Sequence, residues 1–235
     1  MFHKVKSDFY RIWKERSLIF PVSLVILLGV LFTYLMRETD GQGGITIILS
    51  SVAGFIPLFF SSACNLVWGE EFTNRTINHA IIKSSSRFSV YFYKLFETLS
   101  LCFAYTLLLF FTVIVCRIFL NGQVEVGESF DLLIKQLPFH LCFSLLCLFI
   151  FQYVDKIYQA YLIYTMIVLM FDNLVSYVTT SLLANDVFSH FFLFNQVKLI
   201  TNQTEFFTPS SLIALIFSVV YLLSSYLLFS SREFK

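Results

Sequence analysis

Charge is what this chain has least of. Only 13% of its 235 residues are Asp, Glu, Lys or Arg, against 57% hydrophobic ones, and the net charge is +1. So nearly neutral a total gives no reason to expect nucleic acid. A mean hydropathy of +0.78 places the chain in the membrane class. Motifs for chemistry are scarce too. No GxxxxGK[ST] occurs, so the chain has no P-loop, and any ATP with its Mg must be bound by another polypeptide. His3, His79, His140 and His190 lack ligand spacing. Cys64, Cys102, Cys116, Cys142 and Cys147 include no CxxC and all fall in apolar runs. They read as buried small hydrophobes, not as a disulfide framework or metal site. The expectation is no catalytic residue, no metal ligand and no cofactor held by this chain.

What is plentiful is apolar and aromatic: thirty Phe and twelve Tyr, too many for a soluble domain of this size. The apolar residues gather in six runs, 18–36, 45–67, 95–120, 138–151, 157–183 and 210–229. A helix of about 20 apolar residues crosses the hydrocarbon layer. The fold expected over 1–235 is therefore a single all-α integral membrane domain with six transmembrane helices. The first run is too long for a cleavable signal, and no small-x-small site follows it. Gly54 and Pro57 predict a kink in the second. Residues 121–137, with Glu125, Glu128 and Asp131, read as an acidic loop, and 152–156 as a tight polar turn. Across 184–208, phenylalanines alternate with Ser189, His190, Asn195 and Lys198, which fits either two short helices dipping into the membrane or a plain outer loop. No repeat of fixed period is visible.

Ahead of the first run, Phe2, Val5, Phe9, Ile12 and Trp13 recur at helical spacing, with Lys4, Arg11 and Lys14 on other faces. That pattern predicts an amphipathic interfacial helix over 1–16. The basic residues then set orientation. With six spans, Lys4, Lys6, Arg11, Lys14, Arg16, Arg75, Lys83, Arg87, Lys94, Lys156, Arg232 and Lys235 share one side, leaving Arg37, Arg117, Lys135 and Lys198 for the other. Twelve against four puts the N- and C-termini in the cytoplasm.

The same rule puts the polar break between runs two and three in the cytoplasm. A helix over 70–83 would present Glu70, Glu71, Asn74, Arg75 and Asn78 to water and turn Phe72, Ile77, Ile81 and Ile82 toward lipid or the bundle. Such a helix suits a groove on a soluble partner, and an ordinary solvated loop is the other reading. Glu70-Glu71-Phe72-Thr73-Asn74-Arg75 also spells the EExxxR of intramembrane glutamyl proteases. That chemistry needs FxxxH and HxxxN or HxxxD beside it. Four residues before His79, His140 and His190 stand Arg75, Gln136 and Asp186, and four after stand Lys83, Ser144 and Phe194. Both partner motifs are missing, so the protease reading is disfavoured.

In order along the chain, Gly69-Glu70-Glu71, Asn74-Arg75-Thr76, Ser86-Arg87 and Lys94 resemble the signature of the ABC-2 type permeases. The resemblance extends to the whole layout: basic amphipathic N-terminal helix, six spans and a long last outer loop. One departure is Ser84-Ser85-Ser86, where that family often has a proline before its Ser-Arg. The resemblance implies a half-transporter of the bacterial plasma membrane, formed with a second permease chain, either a copy or a sister. It implies separate ABC ATPase subunits docked on a coupling helix at 70–83, through Glu70, Glu71, Asn74, Arg75, Thr76, Asn78, Ile81 and Arg87. Walls rich in Phe, Leu, Ile and Tyr suit amphipathic cargo. By analogy with lantibiotic-immunity permeases and exporters of cytolytic peptides, that cargo is a membrane-active peptide. A small-molecule antibiotic, a lipid-like molecule or sodium are the alternatives, and a non-transporting scaffold or channel is a further class.

Ionisable groups inside spans are costly and mark candidate sites. Arg117, His140 and Asp172, followed by Asn173, all fall in the outer half of the expected membrane. Asp172 is expected to pair with Arg117 or His140, either gating the outer mouth or as a plain structural pair. Simple snorkelling is the other reading for Arg117.

Overall fold

Apolar runs become helices here because hydrocarbon offers no water, so each backbone N–H and C=O must be satisfied within its own segment. The computed structural model of the chain describes residue 10 and residues 18–38, 44–69, 86–120, 122–154, 156–179, 186–201 and 204–231, with backbone only at 186–188. Among the described residues every regular element is helical. The helices are α1 (Ile19–Leu35), α2 (Gly44–Ala53), α3 (Pro57–Cys64), α4 (Arg87–Phe119), α5 (Val126–Tyr153), α6 (Ile157–Met166), α7 (Asp172–Val178), α8 (Leu193–Leu199) and α9 (Pro209–Ser231). A π-helical turn, Asn65–Gly69, extends α3; another, Ile167–Phe171, joins α6 to α7; a 3-10 turn, Asp186–Phe191, precedes α8. The interfacial helix expected over 1–16 lies outside the described residues, Tyr10 apart.

Among the described residues four stretches are long and apolar enough to cross a membrane: α4, α5, Ile157–Val178 and α9. The bent pair formed by α2 and Pro57–Gly69 makes a fifth if counted as one span. The chain is thus a multi-pass membrane protein. α1 is apolar but has 17 residues, a length of about 25 Å at ~1.5 Å per residue.

α5 is the central helix: 67% of its apolar window is buried within the chain, against 17% for Ile157–Val178. It begins well before Pro138, so residues 126–137, expected to be loop, are helical. The reason is amphipathicity. Leu132, Leu133 and Gln136 are buried, while half-exposed Asp131 pairs with the largely buried Lys135 four residues on. His140, expected in the outer half of its span, consequently sits at mid-helix. α5 makes its most extensive contact with α9, and α1 lies along α4. Gly29 permits that second approach, since a Cβ there would stand 3.0 Å from Thr112 Cγ2.

The second apolar run bends by 46° between α2 and α3. The bend falls at residues 54–56, and Pro57 opens α3, where its missing N–H costs little. Gly54 leaves room for the Lys198 side chain: a Cβ would stand 2.2 Å from Lys198 Cε and 3.0 Å from Lys198 Cγ, so the lysine would have to move aside. Lys198 lays its stem across the bend and its Nζ 5.7 Å from the centre of the Phe55 ring.

Two contacts fix the ends of the bundle. At one, Arg87 Nη1 donates to the Ser230 carbonyl (2.6 Å), joining the start of α4 to the end of α9. At the other, Arg117 Nη1 donates to the Arg37 carbonyl (3.0 Å), joining the end of α4 to the turn after α1.

Candidate functional site

The end that carries Arg87 is where the polar break begins and finishes. Of the residues expected to meet an ATPase, Glu70, Glu71, Asn74, Arg75, Thr76, Asn78 and Ile81 lie outside the described residues, as does all of 70–83. The two shoulders of the break are described. On one, Trp68 is fully buried and donates from Nε1 to Thr98 Oγ1 (2.9 Å). Its ring stands 5.6 Å from Phe229 and 6.0 Å from Tyr91. On the other, Lys94 Nζ and Glu97 Oε2 form an ion pair at 3.5 Å, with both side chains fully buried. Thr98 completes the link by donating to the Lys94 carbonyl (2.9 Å), and Tyr91 donates to Ser225 Oγ (3.1 Å) on α9. Three helices therefore converge beneath the break on one buried, charged and aromatic knot. Sequence reasoning singled out Lys94 and Arg87 but missed Glu97. Its signal was present: opposite charges at i and i+3 inside an apolar run, which face each other on a helix.

The opposite half of the bundle holds Asp172. Its Oδ2 accepts from the Asn195 amide (2.9 Å), in the first turn of α8. Helix N-termini leave several N–H groups unsatisfied, and Phe192, at the cap position, has no side-chain acceptor to offer. The Asn195 amide is shared between the Phe192 carbonyl (3.1 Å) and the carboxylate from α7, a charge-assisted acceptor. The expected pairing of Asp172 with Arg117 or His140 is not found among the described residues. The Arg117 guanidinium, 2% exposed as a side chain's residue, is instead bound to the Arg37 carbonyl and stacked where a Cβ on Gly122 would stand 2.2 Å from its Nε. It is buried rather than snorkelling. Asn173 is exposed and its Nδ2 donates to the Leu169 carbonyl (3.3 Å) of its own helix.

The short helices before α9 are held by further polar links. Ser210 Oγ donates to Gln196 Oε1 (3.2 Å), Gln196 Nε2 donates to the Ser189 carbonyl (3.1 Å), and His190 Nδ1 lies 3.2 Å from Ser210 Oγ. Asp172→Ala should therefore loosen α8 by about 1–3 kcal/mol, the cost of losing a charged acceptor. Hydrogen exchange at the Asn195 and Gln196 amides would rise, with a smaller rise for Asp172→Asn. Unchanged exchange in both variants would contradict the capping role.

Asp172 also edges a cavity of about 520 Å³ whose other walls include Phe143, Phe171, Phe192, Phe194, Phe217 and Tyr221. Phe143 and Phe194 stack within it, 4.2 Å apart and 9° from parallel. Such walls offer dispersion contacts and one carboxylate, a fit for an apolar body with a polar group.

Of the cysteines, Cys64, Cys102, Cys142 and Cys147 are buried, and Cys116 is half-buried. Cys64, Cys102 and Cys147 come from α3, α4 and α5. Among the described residues no three His, Cys, Asp or Glu side chains stand where they could hold one metal ion.

Comparison with protein-family models gives no match. Neither a characterised protein nor a solved structure matches the chain.

Proposed function

We propose that the chain is the membrane subunit of an ATP-driven exporter of the ABC-2 permease kind, with six spans, both termini in the cytoplasm, and ATP split by separate subunits. The observation that carries this reading is the polar break. Its residues Glu70-Glu71, Asn74-Arg75-Thr76, Ser86-Arg87 and Lys94 follow the family's order, on the side to which the sequence assigns twelve of the sixteen basic residues. The knot of Trp68, Lys94 and Glu97 supports it, because a coupling helix can move the spans only if its two ends are anchored rigidly in them. In this reading 70–83 sits in a cleft of the ATPase, two permease chains enclose the pathway in a bacterial plasma membrane, and ATP-driven closure rocks them between two states.

The cargo in this reading is an amphipathic, membrane-active peptide. The cavity beside Asp172 supports that class, since phenylalanine walls solvate an apolar face and fit sodium or sugars poorly. The test is the double variant Glu71→Ala with Arg75→Ala in liposomes that also carry the ATPase. Insertion should be normal and peptide-stimulated ATP hydrolysis should fall at least about tenfold, the loss of roughly one charge-assisted contact. A double variant that still couples hydrolysis to export would refute the coupling role.

A further inference from the structure

Several buried hydroxyls in this bundle are satisfied by their own helices. Thr33 donates to Gly29, Ser61 to Leu58, Thr106 to Cys102, Ser144 to Leu141 and Ser218 to Ala214, at 2.7–3.0 Å. That is the usual solution where water is absent. His140 breaks the pattern. It is 7% exposed, and among the described residues neither Nδ1 nor Nε2 has a hydrogen-bond partner. One turn earlier on the same face of α5, fully buried Gln136 donates from Nε2 to the Val197 carbonyl (3.5 Å), while its Oε1 has no partner. Phe60 meets the His140 ring edge-on at 6.1 Å and gives it no polar contact.

His140 lines a cavity of about 210 Å³ between α3, α4 and α5, together with Phe60, Phe103, Thr106, Leu137 and Ser144. Phe103 and Leu137 line the cavity and are exposed on the outside of the bundle, so the cavity can be reached from that side. A neutral imidazole carries one donor and one acceptor, and a buried polar group in a folded protein nearly always finds a partner. Water gains little in this cavity, whose walls are mostly apolar: beyond His140 it would find only the hydroxyl oxygens of Thr106 and Ser144, whose protons go to helix carbonyls. A ligand with its own apolar body suits it well, since an apolar cavity of about 150 Å³ already holds benzene.

We propose that this cavity binds a small amphipathic molecule, an aromatic ring or short apolar body carrying a single hydroxyl or N–H, drawn from the lipid phase and held by a hydrogen bond to His140. The site does not depend on the exporter reading, and neither does its test.

Two probes of nearly equal shape separate the hydrogen bond from simple partitioning. 4-Fluorophenol and 4-fluorotoluene are titrated into the full chain in lipid nanodiscs and followed by fluorine NMR, with empty nanodiscs as the baseline. The phenol should bind saturably and about tenfold more tightly than the toluene, as one net hydrogen bond gives. His140→Leu should abolish that preference while leaving toluene binding within about twofold, as expected when only the polar contact is lost. In the wild-type chain labelled at histidine, the phenol should shift one imidazole signal that the toluene leaves in place, a readout that needs no variant. Equal binding of the two probes, a preference that survives His140→Leu, or no saturable phenol binding would each overturn the proposal.

Discussion

Lys94→Met is expected to destabilise the bundle by about 3–5 kcal/mol, because it removes one member of an ion pair whose two side chains are both fully buried. Both side chains of this pair are fully buried, so water cannot take the place of the missing ammonium. The pair itself is a weak source of net stability, since desolvating two charges offsets much of their attraction. The double variant Lys94→Met with Glu97→Gln should therefore recover at least half of the single variant's loss. Unfolding in mixed micelles measures all three proteins on one scale. Additive losses would show that the two residues act independently and would remove the ion pair from the account.

Trp68→Ala should cost about 3–5 kcal/mol, the range for deleting a fully buried large aromatic side chain. Its ring fills the space between the end of the bent span, α4 and α9, against Tyr91 and Phe229. In lipid such packing is what holds helices together, as apolar surface gains little from leaving hydrocarbon. Trp68→Phe retains most of the contact and gives up the bond to Thr98, a loss of about 1 kcal/mol beyond the change in shape. The same unfolding measurement distinguishes the two. Equal and small losses for both variants would mean that the knot under the polar break is not tightly packed. A loosened knot should also uncouple: if the break transmits motion from an ATPase, Trp68→Ala should depress coupled transport more than it depresses insertion.

Much of the architecture could be read from the apolar runs, and the misreadings have physical causes. The bend of the second run was legible because Gly54 and Pro57 lie close together, although the turn falls ahead of Pro57 and the proline itself opens the next helix. The start of α5 was misplaced because charge was taken to mean loop. Glu128 and Asp131 instead ride one face of a helix whose other face is buried. Asp172 was recognised as a costly buried group, yet its partner could not be read from side chains, since that partner is the backbone amide of Asn195, 23 positions along the chain. Arg117, for which pairing with Asp172 or snorkelling is the expectation, is buried and donates to the backbone carbonyl of Arg37, 80 positions away. Local patterns report which residues must be buried; they do not report which distant backbone groups will meet them. His140 shows the same limit from the other direction. Its isolation from any polar partner depends on which faces of α3 and α4 surround it, and a single helix pattern does not contain that.

The most direct test of the exporter account is to co-express the chain with candidate ABC ATPase subunits from the same genome, isolate the chain from a bacterial membrane by a tag in mild detergent, and assay the eluate for ATP hydrolysis. The account predicts a stoichiometric ATPase partner whose hydrolysis is stimulated by amphipathic peptides and lost with Glu71→Ala and Arg75→Ala. A chain that elutes alone and without ATPase activity would contradict it, and would leave a scaffold or channel as the better reading of these helices.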